Sequence, residues 1–192
     1  MKRIVLMGVL SSLIALFGCS KNIDQPEVPE WANNPRKVKT ETALTKLGIP
    51  INRMLPLVEA EDEVRIRDPK AVATRAVVLY SVAAVGNGID RNAIQKFLKT
   101  EGLWESVTPN ERILFEKDDA PRQAIIDAAW RAEALWVLLW ALGKVETLDL
   151  PTEHCDADYL HRMMPKKGEV AGFINASTLR PKSDLESVNL SV

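Results

Sequence analysis

An all-α fold is the class this sequence predicts, a compact multi-helix domain around a central apolar helix. Three observations carry that reading. Helix-capping residues stand just ahead of apolar runs, glycine or proline closes those runs, and strand-type alternation is nearly absent. The exception is Val170 to Ile174, too short to decide between strand and helix.

The first element is not part of that fold. Lys2 and Arg3 make a short cationic start and Ile4 to Phe17 is nearly unbroken apolar chain. Leu16-Phe17-Gly18-Cys19 then resembles the lipobox of bacterial lipoprotein signal peptides. The run is short for a bilayer span and ends in small residues, as a cleaved signal does. The resemblance implies cleavage after Gly18 and acyl chains on Cys19. Each buried methylene of such an anchor contributes roughly 0.8 kcal/mol of membrane attachment. Ser20, where inner-membrane lipoproteins often carry Asp, points to the outer membrane and a periplasm-facing domain.

Charge and cysteine use narrow the classes further. Without Lys2 and Arg3 the 25 basic residues become 23, against 26 acidic ones. That balance argues against nucleic acid, which demands a basic face. With Cys19 acylated, Cys155 is the remaining thiol, so packing rather than a disulfide must stabilise the domain.

Cys19 to Lys37 reads as a lipidated tether, polar and punctuated by Pro26, Pro29 and Pro35, and the helical domain as Val38 to Val192. Thr40 to Leu47 is a short amphipathic helix closed by Gly48 and Pro50; Asn52 to Pro56 is a turn and Glu59 to Asp68 a charged approach. Asp68 with Pro69 is a favoured helix start. That helix runs to about Val85 and ends at Gly86-Asn87-Gly88. Asp90 caps Arg91 to Lys99, and Thr108-Pro109-Asn110-Glu111 is a capping box opening a helix to about Lys117. Pro121 begins the longest helix, which reaches Leu142 and stops at Gly143. Ala157 to Met164 is short and stops at Pro165, and Ser183-Asp184-Leu185-Glu186 is a second capping box.

Ala124 to Leu142 is apolar on nearly every side apart from Asp127, Arg131 and Glu133. Three central charges, each costing about 2.5–3.5 kcal/mol in a bilayer, reject a transmembrane helix and leave a core one. Asp127 and Arg131, four apart, are placed to pair along one edge. Glu133 has Ala129, Trp130, Trp136 and Val137 as its helical neighbours, with Trp140 two turns on. A carboxylate so boxed is protonated, paired, or at the rim. Arg75, in the other strongly apolar helix, is its candidate partner across the core. The alternatives are side chains that reach solvent along their stems, or a Glu133 that serves a site.

Both histidines fall in His154-Cys155-Asp156-Ala157-Asp158-Tyr159-Leu160-His161. His154, Asp158 and His161 have spacings that a zinc site uses, but His154 precedes the helix cap at Asp156, so surface histidines beside a capped helix are the plainer reading. Cys155 cannot face His154 along a helix, so no nucleophile–base pair follows. No Gly-x-Ser-x-Gly elbow or phosphate-binding glycine loop is present, and Glu59 to Glu63 lacks calcium-loop spacing. No cofactor is expected.

Trp130-Arg131-Ala132-Glu133-Ala134-Leu135 with Leu139-Trp140-Ala141-Leu142 resembles the signature of domain-of-unknown-function family 4272. Leu47-Gly48-Ile49-Pro50, Leu55-Pro56, Arg67, Val72-Ala73-Thr74-Arg75-Ala76, Thr108 to Glu111 and Leu179-Arg180 fit it in order, over about Lys39 to Leu190. The resemblance implies a helical domain and carries no established activity or ligand. Members of that family continue past Asn189-Leu190 into a further helix. A product ending at Val192 therefore reads as one that dispenses with this helix or as a truncation that uncovers an apolar face.

The functional expectation is a membrane-anchored envelope module that binds another protein, for instance an immunity-type protein that neutralises a toxin delivered to the periplasm. The alternatives are an envelope hydrolase or transferase using Glu133 or the His154–His161 segment, and a structural envelope protein or truncated paralogue.

Overall fold

Asp68 accepts hydrogen bonds from the N–H groups of Lys70 and Ala71, and with Pro69 in the first turn this cap opens an 18-residue helix, Pro69–Gly86. The computed structural model describes residues 29–57, 63–117, 119–148 and 153–186. Among them all regular structure is helical, as expected. The helices are α1 (Pro35–Lys46), α2 (Pro69–Gly86), α3 (Arg91–Thr100), α4 (Pro109–Glu116), α5 (Arg122–Ala129), α6 (Arg131–Ala141), α7 (Ala157–Met163), α8 (Val170–Asn175) and α9 (Lys182–Glu186). Val170 to Ile174 is thus helix, not strand. No helix of the described residues is long and apolar enough to cross a membrane. The signal-like segment and the Glu59–Asp62 acidic residues lie outside the described residues.

The chain divides into two compact units, Met1–Glu59 and Ala60–Val192. In the first, a 3-10 turn at Glu30–Asn33 leads into α1. Helical structure thus begins inside the stretch read as tether. Asn34 accepts the Arg36 N–H and Pro35 takes the first helical position, so this proline starts a helix rather than extending a linker.

In the second unit α2 is enclosed. Ala73, Ala76, Val77, Val78, Leu79, Ser81, Val82 and Ala83 are all buried, far more than the single stripe of a surface helix. Ser81 satisfies its hydroxyl on the Val77 carbonyl, at 2.9 Å. α3, α4, α5, α6 and α8 all pack on α2, bringing Leu98, Leu114, Phe115, Ala128, Leu135, Leu139 and Val170 into one core.

The stretch expected as one helix from Pro121 to Leu142 is two. Pro121 precedes α5, and Trp130 sits between α5 and α6 with φ −64° and ψ −12°. The Glu133 N–H reaches back only to the Trp130 carbonyl, a three-residue step that tightens the chain. Both halves then lie on α2, and the enclosed centre is α2 rather than this segment. α6 closes at Gly143, whose φ of 67° suits a residue without Cβ; Gly143 N–H bonds Trp140 O and Lys144 N–H bonds Leu139 O. At the C-terminus, the capping box expected at Ser183 does not start a helix, because α9 already begins at Lys182.

Gly86 ends α2 where the α5 backbone comes closest. A Cβ at Gly86 would stand 2.2 Å from the Ala129 nitrogen and 2.7 Å from the Ala128 carbonyl carbon. Backbone cannot rotate aside as a side chain can. Alanine is better than glycine in a helix by about 1 kcal/mol, but overpacking of this kind costs about 1–3 kcal/mol and should win. Gly86→Ala is therefore expected to lower the thermal unfolding midpoint. Gly172→Ala, where a Cβ meets nothing within 4 Å, should leave it unchanged or raise it. Equal midpoints for the two variants would refute this close contact.

Candidate functional site

Arg75 does not pair with Glu133. It projects from α2 to Glu111 of α4, Nη1 donating to Oε2 at 2.9 Å and Nη2 to Oε1 at 2.5 Å. Glu111 is only 6% exposed. It is also the glutamate of the predicted capping box, accepting the Thr108 N–H at 3.1 Å while Thr108 Oγ1 accepts the Glu111 N–H at 3.4 Å. One carboxylate thus caps α4 and holds it to α2. Arginine's planar fork suits this bidentate contact, and the pair is structural.

Burial pushes the Glu111 carboxyl up, but hydrogen bonds from Arg75 and Thr108, with the Arg75 charge, outweigh it and hold the group below its ordinary 4.5. A depressed carboxylate stabilises the fold above its unfolded-state value, and that share is lost as pH falls through the folded-state value. Glu111→Gln should lower stability near neutrality and flatten its fall in acid. Denaturant titrations at neutral and acidic pH would read both effects, and parallel pH curves for variant and parent would contradict them.

Glu133 lies at the start of α6 and turns to the segment before α7. Its Oε1 accepts the Cys155 N–H at 3.0 Å and stands 3.7 Å from His154 Nδ1. Its side chain is 36% exposed, so it is at the rim rather than boxed. The tryptophans have dispersed: Trp130 meets the His154 ring at 4.9 Å, Trp136 meets Tyr159 at 5.4 Å, and Trp140 lies under the Arg180 guanidinium at 5.1 Å. Trp136 and Trp140 share α6 with Glu133 but pack on Tyr159 and Arg180, so they do not box the carboxylate.

Burial, followed by the Glu133 charge and hydrogen bond and by Asp156, pushes the Cys155 thiol up to about 11. It is a thiol, not a thiolate, near neutral pH, and a poor nucleophile. In a Cys19→Ser background, which leaves Cys155 as the remaining cysteine, alkylation by iodoacetamide should be slow and should accelerate in Glu133→Gln. Identical rates with and without the carboxylate would remove Glu133 from this explanation.

The zinc-like spacing also comes apart. His161 Nδ1 shares a hydrogen bond with the Tyr80 hydroxyl of α2, whose phenol burial pushes up, while His154 faces Trp130 and Glu133. Asp158 is exposed near the start of α7, where its N–H and that of Tyr159 donate to the Asp156 carboxylate. No group of three His, Cys, Asp or Glu side chains among the described residues is placed to hold a metal ion. Nor do Asp127 and Arg131 pair: Asp127 accepts from Gln123 Nε2 at 2.8 Å instead, within α5, and Arg131 lies beyond the break.

Two features escaped the sequence. Arg180 donates to the carbonyls of Trp140, Val145 and Glu146 at 2.7 to 2.9 Å, capping the end of α6 from 34 to 40 residues away. And four large apolar side chains of α5, α6 and their junction face solvent: Ile125 at 41%, Ile126 at 38%, Trp130 at 54% and Val137 at 49%. Their positions, one, four and seven residues apart along the chain, were legible, but they read equally as core.

These features define a helical domain with arginine-locked helix ends and an apolar outer ridge. The family model of a domain of unknown function, DUF4272, matches residues 36–189, and the chain belongs to that family. No curated protein and no solved structure matches it.

Proposed function

We propose that this chain is a lipid-anchored envelope protein whose helical domain binds another protein through the outer ridge of α5 and α6. The exposure of Ile125, Ile126, Trp130 and Val137 carries this reading. Single exposed apolar residues are ordinary on a protein surface. Four across α5, α6 and their junction, with a half-exposed tryptophan among them, have the composition of a recognition surface and its anchor. The anchor to the outer membrane rests on the Leu16–Cys19 pattern and Ser20. An immunity-type role would make the partner a toxin that reaches the periplasm.

An envelope hydrolase or transferase is the competing reading, and the 3.7 Å approach of His154 to Glu133 favours it. It has a carboxylate and an imidazole to work with, but Glu133 is engaged by a backbone N–H and Cys155 is protonated.

The test is photocross-linking in the native envelope from a photoreactive residue at position 137. One partner should be captured there and lost in Trp130→Ala, while Cys19→Ser should abolish acyl labelling and release the chain from the membrane fraction. Capture unaltered by Trp130→Ala would remove the ridge, and unchanged membrane retention and labelling in Cys19→Ser would remove the anchor.

A further inference from the structure

The smaller unit carries a second candidate site, independent of the α5–α6 ridge. Glu30, Trp31, Asn33, Asn34 and Leu57 line a shallow depression that is open to solvent. Its polar and aromatic side chains are tied to neighbours in the same unit. Lys37 stands over the Trp31 ring at 5.4 Å, and its ammonium is fixed by Glu41 at 2.8 Å and the Leu55 carbonyl at 3.0 Å. Arg53 donates to Asn33 Oδ1 at 3.3 Å and approaches the same Glu41 carboxylate at 3.9 Å. Asn34 Oδ1 accepts the Arg36 N–H at 3.0 Å.

Those bonds decide what the depression offers. A guanidinium and a backbone N–H can only donate, so both asparagines must turn their oxygens to them, which leaves each amide NH₂ as a donor. Glu30 adds a carboxylate acceptor, Trp31 an aromatic face and Leu57 an apolar wall. The nearby cations are already engaged, and the lining carboxylate disfavours an anion.

We propose that this depression binds a neutral saccharide bearing N-acetylated hexose units. The pyranose C–H face stacks on Trp31, hydroxyls donate to Glu30, the acetamide carbonyl accepts from an asparagine NH₂, and its methyl meets Leu57. An unsubstituted sugar would leave the donor excess and the apolar wall unused. Because the support network is in place without ligand, little ordering cost remains on binding.

The experiment is calorimetric titration of the full chain with tri-N-acetylchitotriose, in a detergent without a sugar headgroup. Saturable binding with Kd about 1 mM or tighter is expected, weakened at least about tenfold by Trp31→Ala and by Asn33→Ala and unchanged by Trp130→Ala. Asn33 is exposed, so its variant keeps the readout interpretable if Trp31→Ala unfolds the unit. Cosedimentation with insoluble peptidoglycan separates wall-borne from soluble sugar, and retention by either source supports the site. Absence of binding to the parent chain, or binding indifferent to both the Trp31 and the Asn33 variant, overturns it. The α5–α6 reading fails or stands separately, through Trp130.

Discussion

A helix apolar on all sides must be surrounded, and α2 imposes that requirement on the larger unit. Burying a valine or leucine side chain contributes about 1.5–3 kcal/mol, so leaving one side of α2 open would forfeit several such contributions at once. The neighbours answer with short helices rather than long ones. α5 and α6 break at Trp130, and each half lies on α2. At Gly86 the approach is so close that the α5 backbone takes the place of a side chain.

That enclosure makes polar groups expensive unless they are matched, and arginine does most of the matching. Arg75 takes both oxygens of Glu111. Arg112 reaches the carbonyls of Val107 and Trp104 and lies over the Trp104 ring. Arg180 takes three carbonyls, Trp140 in the last turn of α6 and Val145 and Glu146 beyond it. In each case a planar donor fork reaches acceptors that short helices leave open, while its stem and face pack on apolar surface. Of the charges that looked anomalous in apolar helices, Arg75 is such a fastener. Glu133 belongs with it, since it orders the segment ahead of α7 through the Cys155 N–H.

The exposed ridge and the Trp31 depression differ from these in one physical respect. The fasteners have their hydrogen-bonding capacity directed inward. The ridge presents apolar area to water, with the His154 ring against Trp130, and the depression presents asparagines whose amide oxygens are already engaged. Surfaces of that kind are where recognition is chemically plausible in a domain whose core is otherwise fully engaged.

Local chemistry was readable from the chain alone. Asp68-Pro69, Asp90, Thr108 to Glu111 and Asp156 begin helices where their caps stand, because a cap bonds N–H groups two or three residues away. Gly143 closes one for an equally local reason, its left-handed backbone. The all-α class followed from such signals, and the family from the Trp-Arg-x-Glu-Ala motif. Partnerships did not follow. Helical spacing placed Glu133 among tryptophans with Arg75 as its partner, but α4 brings Glu111 to Arg75 and Glu133 turns to the Cys155 N–H. Which charges meet, which apolar face is left to solvent, and that Asn33 meets Arg53 depend on groups distant in sequence. Tertiary packing alone decides them.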